Sequence, residues 1–189
     1  MATSLISSIQ TISGNQPRIR DIPEAATQTF IAGTPVALNA SGDVIAWAGT
    51  IVTNLLGAVI GITKNDGKNL SVAGTAKQLT QGTVPNQSAA VNIQRPYFDP
   101  DGATLLETAD PDTIFVGQVG PLQTALQSDV GLQYGLTKDS DNHWFVDKTK
   151  TTVGTNTLVM VVKLDPNDQS ATPRGVYFRF VVGNVQPIA

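Results

Sequence analysis

The chain has 189 residues, enough for one domain or two small ones, and a chain of this size buries about 70% of its unfolded surface on folding. Hydrophobic residues make up 41% and charged residues only 14%, well under the ~25% usual for soluble proteins, so Thr, Ser, Asn and Gln must supply much of the polar surface. The net charge of −3, with 12 basic residues scattered among 15 acidic ones, argues against nucleic acid as a partner. The lack of cysteine excludes disulfides, thiolate nucleophiles and Cys-ligated zinc.

Residues 1–29 show neither helical nor strand periodicity. They are rich in Ser, Thr and Gln, and Pro17 and Pro23 interrupt them. Without a basic n-region or a continuous apolar core the first residues do not read as a signal peptide, and no apolar run reaches the length of a membrane span. The chain is expected to be soluble and intracellular at synthesis, with no membrane partner. The segment reads as an extended N-terminal arm or a loose terminal tail, with at most one helical turn beginning at Pro23. Its large apolar residues are too few to fold alone. Ile12, Ile19 and Ile22, with Arg18 and Arg20, form a strip suited to an extended groove on a partner. Such an arm is expected to be mobile in the free protein and trimmed by proteases to about Gln28.

Strand signals are dense from Phe30. "GTPVAL" (33–38) and "DVIAWA" (43–48) flank "NASG" as a hairpin. "LLGAVIGITK" (55–64), "LSVAGTAKQL" (70–79) and "AAVNIQRPYF" (89–98) follow, completing a first β unit over 30–98. The proline- and acid-rich stretch 99–112, "DPDGATLLETADPD", reads as a connecting loop. A second β unit, 113–189, contains "TIFVGQVG", "VGLQYGLTK", "HWFVDK", "NTLVMVVKLD" and "GVYFRFVV". Apolar on both faces, "LVMVV" (158–162) predicts a central strand. Val176, Phe178 and Phe180 alternate with Tyr177 and Arg179 at the period of a half-buried strand. Only "PLQTALQSD" (121–129) invites a short helix. The fold class is all-β, an antiparallel sandwich or barrel-like body of two β units behind an N-terminal arm. A short echo aligns Gly57, Gly61 and Lys64 with Gly131, Gly135 and Lys138, consistent with two similar hairpins or a duplicated unit.

The candidate chemistry is sparse. His143, the one histidine, stands beside Asp139, Asp141 and Asp147. It has no Cys, no G-x-S-x-G and no recognisable Ser or Thr nucleophile to activate, and Asp139–Asn142 reads as the turn of a hairpin. Trp144 and Val146 are expected on one face of the returning strand, with His143, Phe145 and Asp147 on the other. Neither this cluster nor Asp99/Asp101 satisfies a calcium-loop pattern, and the glycines form no phosphate-binding motif. No catalytic, cofactor or metal residues are assigned. Trp47, Trp144, Tyr97 and Tyr134 leave open a carbohydrate-binding β module that stacks on sugar rings.

The stretches "QTFIAGTPVALNASGDVIAW", "AVIGITKNDGKN", "IFVGQVG", "DVGLQYGLTKDSDNHWFVDKTK", "LVMVVKLDP" and "GVYFRF" together resemble the capsid decoration, or cement, proteins of tailed bacteriophages over roughly residues 28–182. The resemblance implies a virion structural protein without catalytic residues, made in the host cytoplasm. It implies a seat on the outer capsid surface, an oligomeric state that is commonly a trimer, and the major capsid protein as partner. On that reading Ile12, Arg18, Ile19, Arg20 and Ile22 become the capsid-contact strip of the arm. A head-fibre base or tail component is the alternative within the virion.

Overall fold

The computed structural model describes residues 6–50, 57–67, 69, 103–152 and 158–181. These residues form eleven strands in two antiparallel sheets packed against each other, with no α-helix among them. The all-β expectation holds. Strands β1 (Ser7–Thr11), β2 (Ile19–Pro23), β3 (Pro35–Leu38), β4 (Val44–Ala46), β5 (Val59–Thr63) and β6 (Ala103–Thr108) come from the first part of the chain. Strands β7 (Thr113–Gln118), β8 (Gln133–Lys138), β9 (Trp144–Asp147), β10 (Val159–Leu164) and β11 (Gly175–Phe180) follow. One sheet has the order β2-β6-β5-β3-β4 and the other β1-β7-β11-β10-β8-β9.

Without β1, the two sheets have the same topology. Reading β2 to β6 as the first through fifth strands of a unit, and β7 to β11 likewise, both orders become first-fifth-fourth-second-third. Each sheet also curls until its ends meet. Glu24, directly after β2, makes a parallel bridge to Val44 in β4, and Val119, directly after β7, makes one to Val146 in β9. Ala25 N–H then donates to Val44 O at 3.0 Å, and Gly120 N–H to Val146 O at 3.0 Å.

The repeat extends to individual residues. Gly33 and Gly131 have φ of 83° and 86°, a region that costs an L-residue strain and glycine little. Their N–H groups donate to Thr63 O and Val161 O, both at 2.8 Å. The returning bonds run from Thr63 N–H to Thr34 O and from Val161 N–H to Leu132 O. Gly33 is therefore the counterpart of Gly131, and β5 that of β10. The sequence echo, which set Gly57 against Gly131, pairs β5 with β8 and so falls in the wrong register.

Three readings of the sequence change. The arm is part of both sheets: β1 pairs antiparallel with β7 and β2 with β6. Edge strands with one solvated face have little apolar alternation to read, and a bulge between Ser8 and Gln10 breaks the period further. The segment 99–112 contains β6, whose "ATLLET" sits between two acidic, proline-bearing stretches that dominate its local signal. The helix signal in 121–129 reduces to a 3-10 turn at Gln127–Asp129, and the chain after Pro23 makes a bridge and a turn instead of a helical turn. The expected strands 70–79 and 89–98 lie outside the described residues.

Other expectations match the structure. "LVMVV" lies in β10, between β11 and β8. Val176, Phe178 and Phe180 are buried as their alternation requires. The main core joins both sheets, with Ile6, Ala37, Trp47, Val59 and Ile62 packed together with Phe115, Val146, Val161 and Phe178. Phe115, Phe178 and Phe180 meet at centroid distances of 5.3 to 6.1 Å. Trp47 and Trp144 approach to 5.3 Å at a 35° tilt. A second cluster, Phe30, Val36, Val44 and Ile60, belongs to the first unit, with Ile22 and Leu38 packed against it.

Ile6 is 2% exposed, so the chain from this residue onward is structural. Ile6→Ala should cost about 2–4 kcal/mol in denaturant unfolding. Limited proteolysis should leave β1 and β2 attached to the body, where a mobile arm would be cut back to Gln28.

Candidate functional site

The His143 region is the tip of the β8–β9 hairpin. Asp139 N–H donates to His143 O at 3.0 Å, and Asp139 Oδ1 accepts the N–H groups of Asp141 and His143, both at 2.9 Å. Asn142 takes the left-handed position at φ 65°. Trp144 and Val146 are buried, while His143, Phe145 and Asp147 are half-buried on the opposite face, as the alternation predicted. His143 Nδ1 lies 3.5 Å from Asp139 Oδ2, too far for a strong hydrogen bond.

The first unit builds the same turn with other residues. Asn39 N–H donates to Asp43 O at 2.9 Å, and Asn39 Oδ1 accepts from Ser41 N–H and Asp43 N–H, both at 2.9 Å. Gly42, at φ 86°, stands where Asn142 stands. A neutral amide thus does the work of Asp139, and no imidazole is involved. Turn closure accounts for Asp139 without an ion. Among the described residues no three His, Cys, Asp or Glu converge to hold a metal, and Asp99 and Asp101 lie outside those residues.

The other buried ionisable groups also hold segments together. Asp129, almost fully buried, accepts from Lys148 Nζ, Tyr134 Oη and Leu126 N–H, each at 2.8 Å. Lys148 Nζ also donates to Thr124 O at 2.8 Å. Gln123 donates to Asp147 and accepts from Lys148 N–H. Segment 121–129 is in this way tied to β9, which explains why it does not wind into a helix. Burial pushes the Asp129 carboxyl up, but the bonds from Lys148, Leu126 and Tyr134 outweigh it and hold the group below its ordinary value. Burial and then Asp129 push the Tyr134 phenol up to about 12. Asp168 accepts N–H bonds from Arg174 and Gly175 at 2.7 Å and the Ser170 hydroxyl at 2.7 Å, which keep its carboxyl well below the usual range.

A further carboxylate links the sheets. Glu107 in β6 is buried and accepts from Lys64 Nζ at 2.6 Å and, through its other oxygen, from Ser8 N–H in β1. The bulge in β1 follows directly after Ser8.

The predicted contact strip divides. Ile12 and Ile19 are 57% and 53% exposed, and Arg18 and Arg20 are also in solvent. Ile22 instead is partly buried and packs against the first unit's cluster. Ile12 N–H donates to Asp112 O, and Ser13 binds the Asp112 carboxylate, so the β1–β2 turn is held against the β6–β7 turn. An open depression of about 280 Å³ lies there, lined by Thr11, Asn15, Gln16, Arg18, Asp110, Pro111 and Asp112. Sequence reasoning missed a second exposed apolar group, Leu122, Leu126 and Leu132. The helix expected over 121–129 concealed the exposure of Leu122 and Leu126. Trp47, Trp144 and Tyr134 are all buried and offer no ring to a sugar, while Tyr97 lies outside the described residues.

Comparison with protein-family models, with curated proteins and with solved structures finds no match.

Two outcomes follow from the turn and from the carboxylates. Because Asn39 does the same work, Asp139→Asn should change stability by less than about 1 kcal/mol, whereas Asp139→Ala should cost about 1–2 kcal/mol. A chelator should leave the melting temperature in place. Asp129, Asp139, Asp147 and Asp168 all titrate below their ordinary values when folded. The unfolded chain therefore binds more protons in acid. Stability should be fully present above the unfolded carboxylate pKa and decline as pH falls below about 4. Denaturant melts from pH 7 to 2.5 measure that slope, and Asp168→Asn should flatten it.

Proposed function

We propose that this chain is a virion structural protein that binds the outer surface of a bacteriophage capsid and stabilises the shell of major capsid protein. The observation that carries the reading is the division of labour among its side chains. The carboxylates described above close turns or pin segments to the sheets, while apolar side chains stand in solvent at two places. Ile9, Ile12 and Ile19 lie on β1, its following turn and β2, while Leu122 and Leu126 lie on the segment tied down by Asp129 and Lys148 and Leu132 lies just after it. Exposed apolar side chains on firmly held segments are candidate contact surfaces. The sequence resemblance to decoration proteins points the same way.

The mechanism is added interface. A protein seated across capsomer boundaries buries surface that internal pressure must break together with the shell's own contacts. No group is chemically transformed, and neither cofactor nor nucleic acid takes part. A trimer fits a charge-poor surface, since closed symmetry buries it, and capsid lattices offer three-fold positions. A head-fibre base or tail component uses the same contact surfaces and is the second reading. The buried Trp47, Trp144 and Tyr134 count against the carbohydrate module.

The purified protein should scatter light with a trimer's mass and should co-sediment with expanded capsids of the phage that encodes it. Cryo-EM of those virions should place it on the outer shell. Density at the tail or at a fibre base, with a bare shell, would overturn the reading in favour of the second one. Ile12→Asp and Leu122→Asp should each weaken co-sedimentation at least roughly tenfold if these residues are central anchors.

A further inference from the structure

We propose that the outer edge of β2, at Ile19 and Asp21, accepts an extended, acid-bearing segment of another protein as an added antiparallel strand. The repeat places the two first strands in equivalent positions. Counting from the closing bridges at Glu24 and Val119, Ile19 and Asp21 in β2 occupy the places of Ile114 and Val116 in β7. In the second unit that edge is filled: β1 pairs antiparallel along it, with Gln10 opposite Ile114 and Ser7 opposite Val116. In the first unit, among the described residues, no strand lies there. Among the described residues, the edge is occupied on one half and open on the other.

The backbone faces the right way. Thr108 N–H donates to Arg18 O at 3.0 Å, and Arg18 continues the ladder that sets Arg20 opposite Leu106 in β6. N–H and C=O of one residue in an antiparallel strand point to the same side, and the side alternates along the chain. Ile19 and Asp21 consequently turn their N–H and C=O groups away from β6. Pro23 is next on that side and has no N–H to offer, so the added strand ends before it. Ile19, 53% exposed, gives the incoming strand an apolar contact.

Charge selects the occupant. Arg18 and Arg20 stand exposed along this edge. A second copy of β2, paired so that both outward residues are used, would set Ile19 opposite Asp21 and Arg20 opposite its own copy. Like charges directly opposed in a sheet are unfavourable, and cationic edge residues are a common guard against self-pairing. A strand with Asp or Glu at alternate positions turns the same two arginines into cross-strand partners. Main-chain bonds supply the affinity in such strand addition, and alternate side chains supply the selectivity.

The test uses the full-length protein, 15N-labelled, and two capped peptides, Thr-Glu-Val-Glu-Val-Glu-Thr and Thr-Lys-Val-Lys-Val-Lys-Thr. In the free protein the amides of Ile19 and Asp21 should exchange with solvent much faster than that of Arg20, which faces β6. Millimolar acidic peptide should slow both roughly tenfold, while the basic peptide changes them by less than about twofold. The double variant Arg18→Glu/Arg20→Glu, altered only at exposed side chains, should reverse the preference. If Ile19 and Asp21 are as protected as Arg20 in the free protein, the chain itself fills the edge and the proposal falls. It falls equally if the two peptides act alike, or if the double variant keeps the preference for acid. Isolated protein and synthetic peptides suffice, so the result does not depend on where the protein sits in a virion.

Discussion

Each half of this molecule depends on the residue that follows its first strand and bridges its third. β7 pairs with β1 along its length, and the next residue, Val119, bridges β9. β2 is followed in the same way by Glu24, which bridges β4. That single bridge brings the ends of a sheet together and gives it an inside. In the first unit the inside is the cluster of Phe30, Val36, Val44 and Ile60. Neighbouring residues of the same strands, Ala37 and Val59, belong to the core shared with the other sheet. Curling lets short strands bury both faces, and β5, buried at all five positions, is the clearest case.

Much of this was legible because β signals are local. The hairpin from Gly131 to Lys148 declared its turn residues and its two faces, and the alternation in β11 identified the buried phenylalanines. What stayed hidden was of two kinds. Strands β1, β2 and β6 have weak patterns: the first two are polar edges, one of them bulged, and the third is flanked by turn-forming residues. Ring closure and the repeat are relations between distant residues, Glu24 with Val44 and Gly33 with Gly131, and the halves share almost no sequence to reveal them. The arginines and isoleucines of the arm could be picked out by residue type. Whether each side chain faced inward needed the strand pairing, and Ile22 shows the difference.

The carboxylates show how a charge-poor protein uses the few charges it has. Asp139, Asp168 and Asp129 each gather several N–H or O–H donors. A carboxylate that accepts so many bonds fixes a loop more firmly than a neutral acceptor. The cost is dependence on ionisation, and the same groups tie loop geometry to pH. Asn39 makes its turn free of that dependence. The two halves consequently share a shape but not an electrostatic response.

The pairing of β1 with β7 has a consequence for how the chain is made. Every strand of the first ring has left the ribosome once Thr108 has emerged, so that ring can close while the rest is still being synthesised. β1 comes off first, yet its partner, Thr113–Gln118, comes roughly a hundred residues later. The first strand synthesised must therefore wait beside a folding neighbour, and a contact this distant in sequence is slow to find. Ile6 in the common core and Ser8 on Glu107 then act as a latch closed late, joining two halves that have largely taken shape by themselves.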